Sequence, residues 1–164
     1  MTSLSLRKSN INIFILFILS ALSLACPILT HSLGLKGNEF LPIFFTLSIG
    51  AYILNPLFLI ILSIISPLMN YFITNMPMPP TLYFLILEGI VFSSIVVLLR
   101  NKNISFVLIA LLAFISARLS SFVLTFIFDV SINDWFNGVI NSYKGIIVNV
   151  LFSSITYLIL KNNE

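Results

Sequence analysis

Apolar residues run almost without interruption through residues 11–29 and 82–99 of this 164-residue chain. Each run is close to the 20 or so apolar residues that cross a membrane as an α-helix. Only 8% of the residues are charged and the mean hydropathy is +1.14, whereas soluble domains carry roughly 25% charged residues. The runs also lack the alternation of a membrane β-barrel strand. The sequence therefore predicts an all-α integral membrane protein and excludes a soluble domain and a disordered chain.

Proline, glycine, asparagine and charged residues separate the apolar runs and mark the breaks between helices. The Asn55-Pro56 step predicts a tight turn, because proline disfavours a helical residue before it. Residues 74–80 predict an extended, proline-rich loop packed on the helix ends, and residues 129–141 an interfacial loop or a short surface helix. We predict one domain, residues 1–164, folded as a six-transmembrane-helix bundle with helices at about 11–31, 40–54, 57–71, 81–99, 104–128 and 143–160.

Lysine and arginine are unevenly distributed between the two ends of the six predicted helices. Cytoplasmic loops are enriched in these residues, so their positions predict the side of the membrane on which each loop lies. We expect a multi-pass protein of a prokaryotic cell membrane with both termini in the cytoplasm. The cytoplasmic side then holds Arg7, Lys8, Arg100, Lys102 and Lys161, and the outer side holds Lys36 and Lys144 with Glu39, Asp129 and Asp134.

Several functions are disfavoured by the residue types present. A single cysteine, Cys26, and a single histidine exclude an internal disulfide and a cysteine-rich metal site. The basic residues are scattered singly, so no nucleic-acid partner is expected. The sequence has neither the His-Glu-x-x-His pattern of zinc proteases nor an Asp-rich array, and we expect no enzyme activity, catalytic residue, metal or cofactor. Residues 24–26 faintly resemble a signal-peptide site, but the apolar run continues beyond them, which favours an uncut first helix.

Two charged residues, Glu88 and Arg118, lie well away from the ends of their predicted helices. An ionised side chain at a helix centre costs about 2.5–3.5 kcal/mol on insertion scales, so such residues are usually functional. At 1.5 Å per residue, Glu88 lies roughly 12 Å and Arg118 roughly 15 Å from the outer ends of their helices. One interpretation is a structural ion pair, since buried ions persist when paired. The other is a ligand site in which Arg118 donates to an acidic or carbonyl group and Glu88 accepts from ring or hydroxyl donors.

Further polar and aromatic residues fall in the same outer half of the predicted bundle. Asn149 would line the site or form an interhelical hydrogen bond, and His31 would line it or face the interface. Asn75 lies in the proline-rich loop, and Tyr83 lies near the outer boundary, where aromatic belts form. Together these residues predict a polar pocket that is open toward the outside of the cell and closed toward the cytoplasm. The predicted substrate-binding residues are Glu88, Arg118, Asn149, His31, Asn75 and Tyr83.

Two small residues, Ala21 and Ala25, lie four positions apart on the first predicted helix. Such small-xxx-small spacing lets another helix approach closely. The approaching helix would belong either to this chain or to a partner protein, and the spacing alone favours packing within the chain.

Several short motifs of this chain match one known family: Phe40-Leu41-Pro42, Gly50 with Asn55-Pro56, Ser66-Pro67-Leu68, Met76-Pro77-Met78-Pro79-Pro80, Glu88 and, further on, Ala117-Arg118. Through them the stretch from His31 to Arg100 resembles the substrate-binding membrane subunit, the S component, of energy-coupling-factor vitamin transporters. The chain departs from that family's pattern at four places. It has Asn55-Pro56 where Gly-Pro is usual and an extra Met78-Pro79 where Met-Pro-Pro is usual. A Pro-Gly is expected near Lys144-Gly145 and a Gln near Asn149. These departures lie along the proposed ligand route, so the substrate is not carried over.

The resemblance implies a role in uptake that needs no chemistry in this subunit. It implies that a vitamin or related micronutrient binds from outside between the fourth, fifth and sixth helices. It also implies that Ala21 and Ala25 contact a membrane coupling subunit driven by two ABC ATPases, and the sequence carries no Walker motif of its own. Two alternatives remain: a structural membrane scaffold of the rod-shape-determining type, and a stand-alone carrier with Glu88 as its proton site.

Overall fold

The computed structural model describes residues 3–35, 37–102 and 104–161, and every regular element in these ranges is an α-helix. The apolar runs are helical throughout, and the polar and proline-containing segments separate them, as the sequence predicts. The eight helices of the described ranges are α1 (Ser3–Ser32), α2 (Gly37–Phe40), α3 (Pro42–Ile53), α4 (Pro56–Thr74), α5 (Thr81–Leu99), α6 (Phe106–Ile127), α7 (Ile132–Asn141) and α8 (Tyr143–Lys161).

The predicted second helix, residues 40–54, is divided at Leu41. Leu41 adopts a left-handed conformation with φ of 50°, and Pro42 begins α3 directly after it. Proline disfavours a helical residue before it, while its missing N–H costs little at the first helical position. The short α2 therefore meets α3 at a bend instead of continuing it.

α1 begins at Ser3, eight residues before the predicted start of the first helix, and the remaining predicted boundaries agree with the structure to within a few residues. α5 has the predicted bounds, and α4 begins at Pro56 with the Asn55 side chain accepting a hydrogen bond at its start. Residues 75–80 are not helical, and Asn75, in a left-handed conformation, ends α4. Within residues 129–141, predicted as an interfacial loop or a short surface helix, the structure has α7, none of whose residues is buried.

Among the described residues, four helices are long and apolar enough to cross a membrane: Asn10–Ser32 within α1, and α4, α5 and α6. A fifth candidate arises if α7 and α8, which meet at 46°, form one bent span. α3 is apolar but has only 12 residues. These helices are compatible with a multi-pass membrane protein, and the count of six spans stays a prediction.

Polar contacts at one end of the bundle bring the ends of several helices together. Arg100 Nη1 donates to the carbonyl oxygens of Ala51 and Leu54, both at 2.9 Å, and thereby caps the last turn of α3. The Asn55 N–H donates to Asn12 Oδ1 of α1 at 3.0 Å. We call this the Arg100 end; the carboxyl ends of α3 and α5 lie side by side there.

The opposite end of the bundle, which we call the Glu39 end, joins α2 to the beginning of α8. Lys144 Nζ donates to Glu39 Oε2 at 3.0 Å. Gly145 lies so close to α2 that an added Cβ would be 2.6 Å from the Phe40 carbonyl carbon. Because real side chains do not tolerate that distance, the contact depends on glycine at this position.

The interior of the bundle contains a cluster of three phenylalanine rings. Phe44 of α3 packs against Phe92 of α5 and Phe114 of α6, with ring centroids 5.8 and 5.4 Å apart. The Phe92 and Phe114 centroids are 4.8 Å apart, and all three side chains are buried. This aromatic cluster fixes α3, α5 and α6 against one another.

Candidate functional site

Glu88 and Arg118 form an ion pair between α5 and α6. Arg118 Nη1 donates to Glu88 Oε1 at 2.9 Å. The Glu88 side chain is 1% exposed and the Arg118 side chain 16%, so the carboxylate is enclosed while the guanidinium reaches the protein surface. The structure thus joins the two ionisable residues that the sequence places at similar depth. The pair carries no net charge, which is how ionisable residues are usually accommodated at membrane depth.

The aromatic cluster closes the side of the ion pair that faces the Arg100 end. Phe92 follows Glu88 by four residues, and Phe114 precedes Arg118 by four. Each ring therefore lies one helical turn from its charged neighbour, on the same helix face and toward the Arg100 end. Phe44 fills the space between the two rings. The rings separate the ion pair from that end of the bundle.

The short α3 begins at about the level of Glu88. Arg100 holds the carboxyl ends of α3 and α5 side by side. From there the 12 residues of α3 extend about 18 Å at 1.5 Å per residue, and Glu88 lies eleven residues before the last residue of α5. Between Glu88 and the Glu39 end, the four-residue α2 takes the place of a long helix.

A hydrogen-bonded chain links the ion pair to α7. Trp135 Nε1 of α7 donates to Ser121 Oγ of α6 at 3.1 Å, and Ser121 Oγ donates to the Arg118 carbonyl oxygen at 2.8 Å. The Ser121 hydroxyl also lies against the Glu88 carboxylate, but its single proton is directed at the carbonyl. Glu88 Oε2 therefore has no hydrogen-bond partner among the described residues and is buried.

Asn149 lies in a separate polar contact between α8 and α3. Its Oδ1 accepts from Ser48 Oγ at 3.2 Å, and its Nδ2 donates to the Gly145 carbonyl oxygen at 2.7 Å. The side chain is fully buried. Of the two roles predicted for Asn149, the structure has the interhelical hydrogen bond, and both ends of the amide are occupied by protein groups.

The three remaining candidates lie at the Glu39 end. His31 is exposed near the end of α1, with its imidazole beside Gly37 of α2. Asn75 is exposed where α4 ends. Tyr83 is 45% exposed, and its ring stacks on Phe128 with centroids 5.0 Å apart. Among the described residues, no hydrogen bond or ion pair joins any of the three to the Glu88–Arg118 pair.

The proposed partner-binding residues lie on the outer surface of α1. Ala21 is exposed and Ala25 partly exposed. The opposite face of α1 packs on α4, where Asn70 Nδ2 donates to the Ser23 carbonyl oxygen at 2.8 Å. Ala21 and the exposed part of Ala25 are therefore accessible to lipid or to another protein.

The sequence did not single out Ser121 or the role of Trp135. Ser121 follows Arg118 by three residues, a spacing that places both side chains on the same helix face. That signal was available, but serines are frequent in this chain. Trp135 lies within residues 129–141, which were predicted only as an interfacial loop or a short surface helix, because nothing in the sequence places α7 beside α6.

The arrangement offers groups that can hydrogen-bond a small molecule. It offers one buried oxygen of Glu88 and the N–H donors of the partly exposed Arg118. The Ser121 hydroxyl already donates to the Arg118 carbonyl oxygen and accepts from Trp135. Among the described residues, no group of three or more His, Cys, Asp or Glu side chains could hold a metal ion. Comparison of the chain with known protein families, curated proteins and solved structures found no match.

Proposed function

We propose that this protein is the substrate-binding membrane subunit of an energy-coupling-factor importer and captures a vitamin or related micronutrient outside the cell. One observation carries the proposal: the buried Glu88 keeps Oε2 without a partner, beside a partly exposed Arg118. Leaving a buried charged oxygen unsatisfied is costly. A ligand that occupies Oε2 would remove this cost, which supports a binding role for the pair.

The proposal includes six membrane spans, with α3 and α8 added to the four long helices. The Glu39 end faces outward and the Arg100 end faces the cytoplasm of a prokaryotic cell, with both termini inside. The supporting argument is that Arg100 and Lys102 follow α5 at the Arg100 end, and cytoplasmic loops are enriched in such residues. His31, Asn75 and Tyr83 then rim the outward entrance.

In the proposed mechanism the ligand enters from the Glu39 end and binds Arg118 and Glu88. The aromatic cluster blocks its passage toward the cytoplasm, so release requires the subunit to change its orientation or its packing. Energy for that change comes from a membrane coupling subunit with two ABC ATPases. The accessible face of α1 with Ala21 and Ala25 is the proposed contact with the coupling subunit, because small residues permit close helix approach.

Ligand binding can be tested on the protein purified in mild detergent. Mass spectrometry of small molecules that remain bound identifies the ligand, and its affinity is then measured for Glu88→Gln and Arg118→Gln. We expect each change to weaken binding about tenfold or more, because hydrogen bonds to charged groups contribute about 1.5–3 kcal/mol. The matched control is Leu119→Ala, since Leu119 neighbours Arg118 but is 63% exposed. Unchanged affinity in both folded pair variants would refute the proposed site.

The second candidate function is a structural scaffold. The 2.9 Å ion pair between Glu88 and Arg118 favours it, because an ion pair that holds α5 against α6 needs no ligand. Affinity purification of the tagged full chain from its own cells separates the candidates. Recovery of a coupling subunit with two ATPases supports uptake. Recovery of cell-wall synthesis proteins instead supports a scaffold, and transport in vesicles without any ATPase supports a stand-alone carrier.

A further inference from the structure

The Glu88–Arg118 pair offers an acceptor and donors side by side. Glu88 Oε2 accepts from no described residue. Arg118 has five N–H donors and gives one of them to Glu88 Oε1, and no described residue accepts from the others. The unoccupied positions of the pair are therefore one buried acceptor next to accessible donors.

We infer that the ligand presents a neutral edge in which an N–H donor stands next to a carbonyl acceptor, as in a lactam, a cyclic urea or a pyrimidinone. The N–H donates to Glu88 Oε2, and the carbonyl accepts from Arg118. The inference rests on the proposed function, since it takes the pair as a ligand site. The arrangement agrees, because Arg118 Nη1 lies 2.9 Å from Glu88 Oε1 and Oε2 is bonded to the same carboxyl carbon, so Oε2 and the guanidinium lie side by side.

Charged ligands fit the pair less well. A carboxylate would compete with Glu88 for Arg118 and would place a second negative charge beside the unpartnered Oε2. A cation would meet the positive charge of Arg118 at the accessible side of the pair. Both interactions are strengthened by the low dielectric of a buried site. A neutral edge satisfies both positions and keeps the net charge of the site at zero.

Three small probes test the inference on the full chain in lipid nanodiscs by ligand-detected NMR. 2-Pyridone carries N–H beside C=O in one ring, 1-methyl-2-pyridone has the same ring without the donor, and benzoate is a planar acid. We expect 2-pyridone to bind about tenfold or more tightly than its methylated form, because a lost donor leaves the charged oxygen unsatisfied. Benzoate should bind no better than the methylated form.

Glu88→Gln replaces the free acceptor by an amide and should erase the preference for 2-pyridone. Glu39→Gln is the matched control, because Glu39 pairs with Lys144 at the surface, and this variant should keep the preference. The comparison of the two pyridones in the unmodified chain requires no variant, so it decides the question even if Glu88→Gln does not fold.

Equal binding of the two pyridones, preferential binding of benzoate, or no binding of 2-pyridone would overturn the inferred ligand class. The proposed function fails separately. If a natural small molecule still co-purifies and depends on Glu88, the uptake role stands and only the ligand class is wrong. If no small molecule and no coupling subunit are recovered, the uptake role is wrong as well.

Discussion

At the scale of single residues, Glu88 and Arg118 depend on each other for their place inside the bundle. Removing one partner of a buried ion pair leaves an uncompensated charge, whereas replacing both by apolar residues is often neutral or stabilising. Because the Glu88 side chain is only 1% exposed, leaving Glu88 without its partner should cost more folding free energy than leaving Arg118 without its partner. The stability of the fold and the binding function can therefore be separated experimentally.

Arg118→Leu is expected to destabilise the protein by about 3–5 kcal/mol, because Glu88 is then buried without its partner. The double change Glu88→Leu with Arg118→Leu should recover most of this loss while still abolishing ligand binding. Thermal unfolding in detergent measures both effects. Lys144→Leu, which breaks the surface pair with Glu39, should cost far less. A double variant no more stable than Arg118→Leu would contradict the expectation.

Charges within apolar runs are conspicuous, so Glu88 and Arg118 could be found from the sequence. Their contact was one of two open interpretations, because similar depth does not show which way each helix is rotated. The same limit applied to Asn149, whose partner Ser48 lies about a hundred residues away in the chain. Whether Ser48 and Asn149 meet depends on how α3 and α8 are rotated about their own axes. The sequence of a weakly amphipathic helix says little about which of its faces is turned toward a neighbour.

At the scale of helices, α7 is held against α6 by few contacts. None of its residues is buried, and Trp135 provides both the hydrogen bond to Ser121 and a ring contact with Phe122, whose centroid is 5.0 Å away. Elements with little buried surface open more readily than the core. Of the elements at the Glu39 end that lie near the ion pair, α7 should therefore be the easiest to displace.

Trp135→Phe should loosen α7 without unfolding the bundle. The change removes the hydrogen bond to Ser121, worth about 0.5–1.5 kcal/mol, but keeps an aromatic ring beside Phe122. Hydrogen–deuterium exchange of residues 132–141 should rise about two- to tenfold, while α5 and α6 stay unchanged. Phe136→Leu is the control, since Phe136 is 56% exposed. Equal exchange in Trp135→Phe and the unmodified chain would show that the hydrogen bond does not anchor α7.

Helix positions followed from the sequence because apolar length and proline determine them locally. The break at Leu41 was missed although Pro42 follows it, since the same signal was applied only at Asn55-Pro56. Phe40-Leu41-Pro42 was instead taken as the opening of one continuous helix. α7 was predicted only as one of two alternatives, because its apolar residues are few and interrupted by polar ones.

At the scale of the whole molecule, α2 and α8 meet at the Glu39 end through a contact that only glycine permits. An added Cβ on Gly145 would lie 2.6–2.7 Å from backbone atoms of Glu39 and Phe40. Backbone atoms cannot move aside as a flexible side chain does. Any larger residue must therefore shift α8 away from α2.

Gly145→Ala should destabilise the protein by about 1–3 kcal/mol, as overpacking does in close-packed interiors. Gly138→Ala is the matched control, because nothing lies within 4 Å of its added Cβ. That change should be neutral or stabilising by up to about 1 kcal/mol, since alanine favours helix. Thermal unfolding measures the two variants side by side, and equal melting temperatures would mean that the α2–α8 contact yields without cost.

The shortness of α3 affects where the protein would block the passage of ions across a membrane. Because α3 begins at about the level of Glu88 and runs toward Arg100, α3 adds to the packed helices only in that half, over about 18 Å. The barrier against leaking ions therefore belongs to the half that contains the three phenylalanine rings. Residues 75–80 and the other loops at the opposite end contribute little to this barrier. A vesicle containing the protein should therefore stay impermeable to ions even when those loops are cleaved.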